Sequence, residues 1–410
     1  VQMRVGYRLR SIDVWRRSAR GMLPSRRPTR HQGVLFSLTA RATASGWKGD
    51  GYATAISRPP LPVPFSLDFQ EGSETGHDPY RVSSSVMQKS NVGAQTSGSV
   101  GVRTVVVPAA GMGTRFLPAT KTVPKELLPV IDTPGIELIA EEAAALGAQR
   151  LAVVVAPEKQ EIMRHFGEFT TLRERLRERG KDEQADKVSR AFGLIDAVAV
   201  TQDVPLGLGH AVGCAESALD AEEDVVAVML PDDLVLPLGV MEKMVQVRQQ
   251  FGGSVLCAFN VTEDEVFNYG VFDVADADAT VPGVEVKKVR GMVEKPAKEE
   301  APSTLVATGR YLLDRAVFDA LRRITPGKGG ELQLTDAIEL MIEEGHPVHV
   351  VVHDGKRHDL GNPGGYIPAN VDFGLRDEKY GPALYTALKQ ILAEFEREHP
   401  ELLTREGKQD

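Results

Sequence analysis

Gly111, Gly113, Arg115 and Lys125 lie in one short stretch, Ala109-Ala-Gly-Met-Gly-Thr-Arg-Phe-Leu-Pro-Ala-Thr-Lys121 followed by Val123-Pro-Lys-Glu-Leu-Leu-Pro129. Two closely spaced glycines let a backbone turn sharply and bring its N–H groups up to a phosphate, an approach that a Cβ obstructs. Arg115 can fork onto two phosphate oxygens while Lys125 acts as a point charge, so the two together suit a polyphosphate. The pattern is not a Walker A loop, because no Gly-Lys-Ser/Thr follows. Nor is it Gly-x-Gly-x-x-Gly, because Phe116 stands in the third glycine's place. An ordinary turn between strand and helix accounts for Gly111 and Gly113 taken alone. With Arg115, Pro124, Lys125 and Pro129 in register, the stretch reads as a grip for a nucleoside triphosphate.

Further along the chain, polar groups recur where apolar runs end. Gln202 closes one such run and precedes Asp203-Val-Pro-Leu-Gly-Leu-Gly-His210; an amide there can donate and accept at once, as the edge of a pyrimidine requires. His210, at a helix start with no His or Cys partner in its motif, reads as a packing or capping residue. Val228-Met-Leu-Pro-Asp-Asp233 puts two carboxylates directly after an apolar strand. That is costly unless they meet a cation, and hard oxygen ligands suit the Mg²⁺ that accompanies triphosphates. Asp233 is expected to cap the next helix or tune its neighbour. Val293-Glu-Lys-Pro296 places an acid beside a base. Successive strand side chains point oppositely, so Glu294 and Lys295 can serve one ligand only where the strand ends or bends, as Pro296 requires.

The glycine stretch with its Val-Pro-Lys-Glu-Leu-Leu-Pro continuation closely resembles the bacterial UTP:glucose-1-phosphate uridylyltransferases, which are sugar nucleotidylyltransferases. The related thymidylyltransferases usually carry Gly-Gly-Ser-Gly-Thr-Arg and a Ser-Lys-Gln, so Pro124-Lys-Glu126 favours the uridylyl branch. The resemblance runs from about Gly101 to about Glu394. It implies transfer of the uridylyl group of UTP to glucose 1-phosphate, with release of pyrophosphate, by in-line attack of the sugar phosphate on the α-phosphorus. It makes Ala109, Ala110, Gly111, Gly113, Gln202, Gly207 and Gly209 nucleotide-binding, and Asp232 a Mg²⁺ ligand with Asp359 of His358-Asp-Leu-Gly361 as its second acid. Gly270, Glu294 and Lys295 become the sugar-phosphate side, and Arg115, Lys125, Asp232 and Lys295 the catalytic set. For Glu331 it implies only a general positioning role. A thymidylyltransferase of the same fold and a non-catalytic sugar-nucleotide sensor are the competing classes. A sensor is expected to have lost Arg115, Lys125 or an acid, and all are present.

These residues need elements to hold them. Val105 to Val107, without polar alternation, suit a strand covered on both faces, and further strands are expected near 151–156, 197–202, 225–231 and 254–261. Gly135 to Gly147 has helical apolar spacing; 157–190, dense in Arg and Glu, reads as solvated helices. Alternation of strands and helices predicts an α/β fold, a doubly wound, mainly parallel, Rossmann-like sheet with helices on both faces. The resemblance adds a small β insertion on the sugar side and the nucleotide-diphospho-sugar transferase type.

The chain has 410 residues and a net charge of −9, against a general nucleic-acid binder, so the local cations look placed. No window suggests a membrane span. With two cysteines, Cys214 and Cys257, a disulfide framework is excluded and a cytoplasmic setting is the default. Residues 1–100 are Arg-rich and acid-poor, then rich in Pro, Ser and Gly. Upstream sequence ahead of a start at Met87, a disordered natural extension and a transit peptide are the readings that compete for them. A catalytic domain over 101–395 and a flexible tail over 396–410 are expected, in a homo-oligomer, dimer or tetramer.

Overall fold

In the computed structural model, which describes residues 101–403, Val105, Val106 and Val107 are fully buried in strand β1 (Thr104–Pro108). Val105 and Val107 belong to one apolar cluster and Val106 to a second. This is the two-residue period of a strand with both faces covered. Helix α1 (Gly135–Ala145) closes the first face through Ile136, Ile139, Ala140 and Ala143. Helices α2 (Leu208–Cys214) and α3 (Leu334–Glu343) close the second, through Ala211 and Val212 and through Ala337, Ile338 and Met341.

The remaining strands of the main sheet are β2 (Arg150–Val155), β3 (Asp196–Thr201), β4 (Val225–Met229), β5 (Ser254–Asn260), β6 (Gly270–Asp276), β7 (Glu285–Glu294), β8 (Leu305–Asp314) and β9 (Val348–Val352). All five strands placed from apolar runs are found within a residue or two of their expected bounds. The nine-stranded order is β3-β2-β1-β4-β8-β5-β9-β7-β6. The first four strands are parallel, as is the β5–β9 pair; β8 runs antiparallel to β4 and β5, and β7 to β9 and β6. The expectation of a mainly parallel sheet thus describes one half, and the sheet as a whole is mixed. Helical crossovers build the parallel half, whereas β6 and β7 are neighbours in sequence and pair directly. The antiparallel pair β6–β7 belongs to this same nine-stranded sheet, at its end.

Two irregular features carry site residues inward. Strand β8 shifts register between Ala307 and Tyr311, and Val306 pairs with Val271 of β6 as well as with Phe259 of β5. Thr308 to Tyr311 is therefore a bulge within β8. A separate ribbon, β10 (Asp233–Leu236) against β11 (Lys356–Asp359), pairs Asp233 with Asp359, and the N–H of Leu360 donates to the carbonyl of Asp232 (2.7 Å).

Helix α4 (Pro363–Arg376) follows, with Pro363 in its first turn and the Asn362 side chain accepting from the Gly365 N–H. The expected domain boundary at 395 falls inside helix α5 (Gly381–Glu398), and a further turn spans Pro400–Leu403. Leu384, Leu388, Ile391, Leu392 and Phe395 keep helical spacing through that point. The expectations for residues 1–100 and 404–410 lie outside the described residues.

Candidate active site

Strand β1 ends in Pro108, and Ala109 still donates its N–H to the carbonyl of Val154 (2.7 Å) before the chain leaves the sheet. Ala109 and Ala110 are buried, whereas Gly111 is exposed with nothing within 4 Å of where a Cβ would stand. Gly113 takes φ of 64°, a conformation that favours glycine, and opens the short 3₁₀ turn Thr114–Phe116. The Thr120 hydroxyl holds the Gly113 carbonyl at 2.7 Å. Arg115 follows, exposed and with no ion-pair partner among the described residues.

Lys125, set in a second 3₁₀ turn (Lys125–Leu127), reaches Asp232 in a short ion pair. Burial works against charge on both, but each is outweighed by the other. The Lys125 ammonium is held above its usual pKa and the Asp232 carboxyl below its own. Asp359 stands beside them because the ribbon pairs β10 with β11. Its Oδ1 accepts from the Gly361 N–H (2.7 Å) and its Oδ2 from the Asn362 amide (2.8 Å). A Cβ at Gly361 would lie 2.9 Å from Asp232 Oδ2 and 2.9 Å from Asp359 Oδ1. Both carboxylates therefore face one small volume that a side chain would fill.

Asp233 is not a helix cap, and although it lines the same cleft as those two acids its carboxylate is engaged by other partners. It opens β10, buried, with Oδ1 taking the Arg357 Nε (2.8 Å) and Oδ2 the Gly309 N–H (2.8 Å). Backbone alternation turns it away from Asp232. Arg357 also donates to the Tyr269 hydroxyl (3.0 Å) and lies over its ring, 4.9 Å from the centroid. Burial opposes its charge, yet Asp233 and Tyr269 leave its pKa raised. Beneath, fully buried Arg310 forks onto Glu142 at 2.9 and 2.6 Å and donates to the Asp233 carbonyl (2.8 Å). Both acids after the apolar strand do meet cations, but different ones.

On the antiparallel side Gly270 and Glu294 are register partners of the β6–β7 pair. Glu294 Oε2 accepts from the Thr335 hydroxyl (2.7 Å) and Oε1 from the Lys295 ammonium (2.5 Å). Lys295 has φ of 49° and donates its N–H to the Tyr269 carbonyl (2.8 Å). That left-handed turn is the bend that lets consecutive side chains meet. A Cβ at Gly270 would come within 3.3 Å of both Glu294 Oε2 and Thr335 Oγ1.

A cleft of about 850 Å³ takes in Arg115, Asp232, Gly270, Glu294, Lys295 and Asp359, together with Glu331. Gln202, Gly207 and Gly209 do not line it, and neither do Lys125, Ala109, Ala110, Gly111 and Gly113. Gln202 Nε2 is 2.9 Å from His210 Nδ1 and 3.3 Å from the Gly207 carbonyl, so its donor side is engaged within the protein. His210 thus hydrogen-bonds the amide singled out for the base, and its Nε2 lies 3.7 Å from Cys214 Sγ, a Cys partner that its motif does not show. The closest approach at Gly207 and Gly209 is to the 331–333 segment: a Cβ would meet Leu332 O at 2.8 and 2.7 Å respectively.

Sequence reasoning missed Arg357, Thr335's hydrogen bond and the Arg310–Glu142 pair. Arg357 lies two residues from Asp359 and a strand reading of 356–359 would have put both on one face. Nothing local marks the others.

The nucleotidyl transferase family matches residues 104–374. The UTP–glucose-1-phosphate uridylyltransferase YngB of Bacillus subtilis is 36% identical over 74% of this chain and 98% of its own length. A solved UDP-glucose pyrophosphorylase complexed with UDP-glucose has 33% identity and a TM-score of 0.59, covering 67% of this chain and all of that one. A UTP-bound UGPase from Acinetobacter baumannii has 34% identity and a TM-score of 0.62, covering 72% and 99%. The mixed α/β fold described above is of the nucleotide-diphospho-sugar transferase type that these neighbours share. With Arg115, Asp232, Glu294, Lys295 and Asp359 on one cleft and these likenesses spanning nearly the full length of the relatives, the chain belongs to the nucleotidyl transferase family, among the UTP–glucose-1-phosphate uridylyltransferases.

Proposed function

We propose that the chain transfers the uridylyl group of UTP to glucose 1-phosphate, giving UDP-glucose and pyrophosphate. The observation that carries this is the one cleft in which an exposed arginine, two facing carboxylates and a Glu-Lys pair stand together. The sugar phosphate is already an anion, so the reaction needs no activated side-chain nucleophile. What the protein must do is hold two anions in line and offset their repulsion.

In this reading the 109–113 loop presents N–H groups to the triphosphate, with Arg115 and Lys125 neutralising it. Gln202, with Gly207 and Gly209 beside it, meets the base through its remaining acceptor. Glu294 accepts sugar hydroxyls against Gly270, and Lys295 binds the sugar phosphate. Asp232 and Asp359 are the pair that would hold Mg²⁺. Their fit is supported by the volume they share and by the count of protein ligands. Among the described residues no third His, Cys, Asp or Glu joins a metal-sized group, and Mg²⁺ commonly takes one or two carboxylates with phosphate oxygens and water. Bound there, Mg²⁺ would neutralise charge developing on the phosphates. We read the β3-β2-β1-β4 half as Rossmann-like. A homo-oligomer, dimer or tetramer, is favoured by Ile391, Leu392 and Phe395 exposed on α5. Cytoplasmic residence rests on the two unpaired cysteines. No nucleic-acid or membrane partner is proposed; no helix among the described residues is long and apolar enough to cross a membrane.

The test is pyrophosphate release from a panel of nucleotides and sugar 1-phosphates. UTP with glucose 1-phosphate should give the highest kcat/KM; a clear preference for dTTP or for another sugar phosphate would overturn the assignment.

A further inference from the structure

One cation near the glycine loop lies outside the cleft and has no part in the reading above. Lys159 precedes the short helix Gln160–His165 that follows β2. Its ammonium donates to the carbonyl of Ala109 (2.8 Å), the carbonyl of Gly111 (2.6 Å) and Glu126 Oε2 (3.0 Å). Three acceptors use all three of its protons. The Lys159 side chain is 11% exposed and that of Glu126 is wholly buried.

A trans peptide unit is planar, with its N–H directed opposite to its C=O. Tying the carbonyls of Ala109 and Gly111 to one ammonium therefore aims the N–H groups of Ala110 and Met112 away from it. Among the described residues neither N–H has an acceptor. Packing does not set the orientation at Gly111, since its Cβ position is surrounded by open space. Neutralising Glu126 would require only the third contact, so the two carbonyl bonds need another explanation.

We propose that Lys159 is a positioning residue that clamps the glycine loop from behind, holding the Ala110 and Met112 N–H groups toward the triphosphate. Through Glu126 the clamp is joined to Lys125, the preceding residue in the chain. The proposal rests on the reading of the loop as the triphosphate site. It names two donors and the side chain that orients them.

The experiment measures kcat, KM for each substrate and Tm in four variants. Lys159→Met leaves Glu126 buried without its cation, so Tm should fall. In Lys159→Met/Glu126→Met both charges are gone, and replacing a buried ion pair by apolar groups is commonly neutral; its Tm should return toward wild type. In both variants KM for UTP should rise about tenfold while KM for glucose 1-phosphate stays within about twofold, the loss expected for charged hydrogen bonds. Glu126→Gln keeps both carbonyl bonds and should leave KM for UTP within about twofold. Wild-type KM for UTP in the double variant, or a tenfold rise in Glu126→Gln, overturns the clamp. Arg115→Ala separates this from the reading beneath it. If Arg115→Ala raises KM for UTP while the double variant does not, the clamp alone fails; if neither does, the loop is not the triphosphate site.

Discussion

Around the paired acids of the cleft, opposite charges come from distant parts of the chain: Lys125 meets Asp232, and Asp233 meets Arg357. On the side assigned to the sugar, Glu294 and Lys295 are consecutive and meet through one left-handed residue. The distant pairs are held by the ribbon β10–β11 and the bulge in β8, so they form only in the folded chain. The adjacent pair needs only a local bend, whose cost is about 1–2 kcal/mol. Damage to the distant pairs should therefore reach chemistry and stability, and damage to the adjacent pair should stay with binding.

The hardest break is at the two facing acids. Asp232→Asn keeps size but removes the charge that would hold Mg²⁺ and balance Lys125. Turnover should fall about a thousandfold or more, corresponding to several kcal/mol of lost stabilisation of the reacting phosphates. Asp359→Asn should act alike, and the double variant should be scarcely worse than the worse single, as for residues acting as a unit. EDTA should abolish activity and added Mg²⁺ restore it. Near wild-type turnover of either variant at limiting Mg²⁺ would remove that acid from the metal site.

Asp233→Ala contrasts with its neighbour. It strands the largely buried Arg357 guanidinium and the Gly309 N–H, and breaking such a buried pair costs about 3–5 kcal/mol. Thermal unfolding should show a drop of many degrees, larger than that of Asp232→Asn, which keeps a hydrogen-bond acceptor for Lys125 at a more exposed position. Equal Tm losses in the two would mean that the neighbours share one role.

That contrast also marks how far the sequence could be read. The glycine loop, Asp232 and Glu294-Lys295 are visible because each is a short motif whose residue types are costly or unusual where they stand. The parallel half was visible because Val105 to Val107 and their counterparts are continuous apolar runs. The antiparallel half was not, because the order of β8 between β4 and β5 depends on long-range pairing that no local pattern encodes. For the same reason the partner of Asp233 could not be found: Arg357 is 124 residues away in sequence, and only the ribbon register brings it near. Lys159 gives no signal at all, since a lysine just before a helix is ordinarily a solvated charge.

On the sugar side the effect should be smaller and confined to one substrate. Glu294→Gln and Lys295→Ala each remove a charge, and a charged hydrogen bond is worth roughly 1.5–3 kcal/mol, or about ten- to hundredfold in binding. The loss should appear in KM for glucose 1-phosphate, with KM for UTP within a few-fold. An equal rise in both would place Glu294-Lys295 on the wrong half of the cleft.

The finest test is Thr335, on α3, whose hydroxyl donates to Glu294 Oε2 at 2.7 Å while Oε1 takes Lys295. These two contacts fix the carboxylate's plane beside Gly270, where it would accept sugar hydroxyls. Thr335→Val keeps the shape and removes only the hydroxyl, leaving Glu294 charged and still paired. The net worth of the lost bond, about 1–1.5 kcal/mol, predicts roughly a five- to tenfold rise in KM for glucose 1-phosphate. Turnover at saturating sugar phosphate should change less, because the Lys295 contact survives. Thr335→Ser restores the hydroxyl without the methyl, so it should recover KM if the hydrogen bond matters and fail to recover it if the methyl's packing does. A Thr335→Val enzyme with unchanged KM would show that Lys295 alone orients Glu294, and that the sugar side is held by its local bend without help from α3.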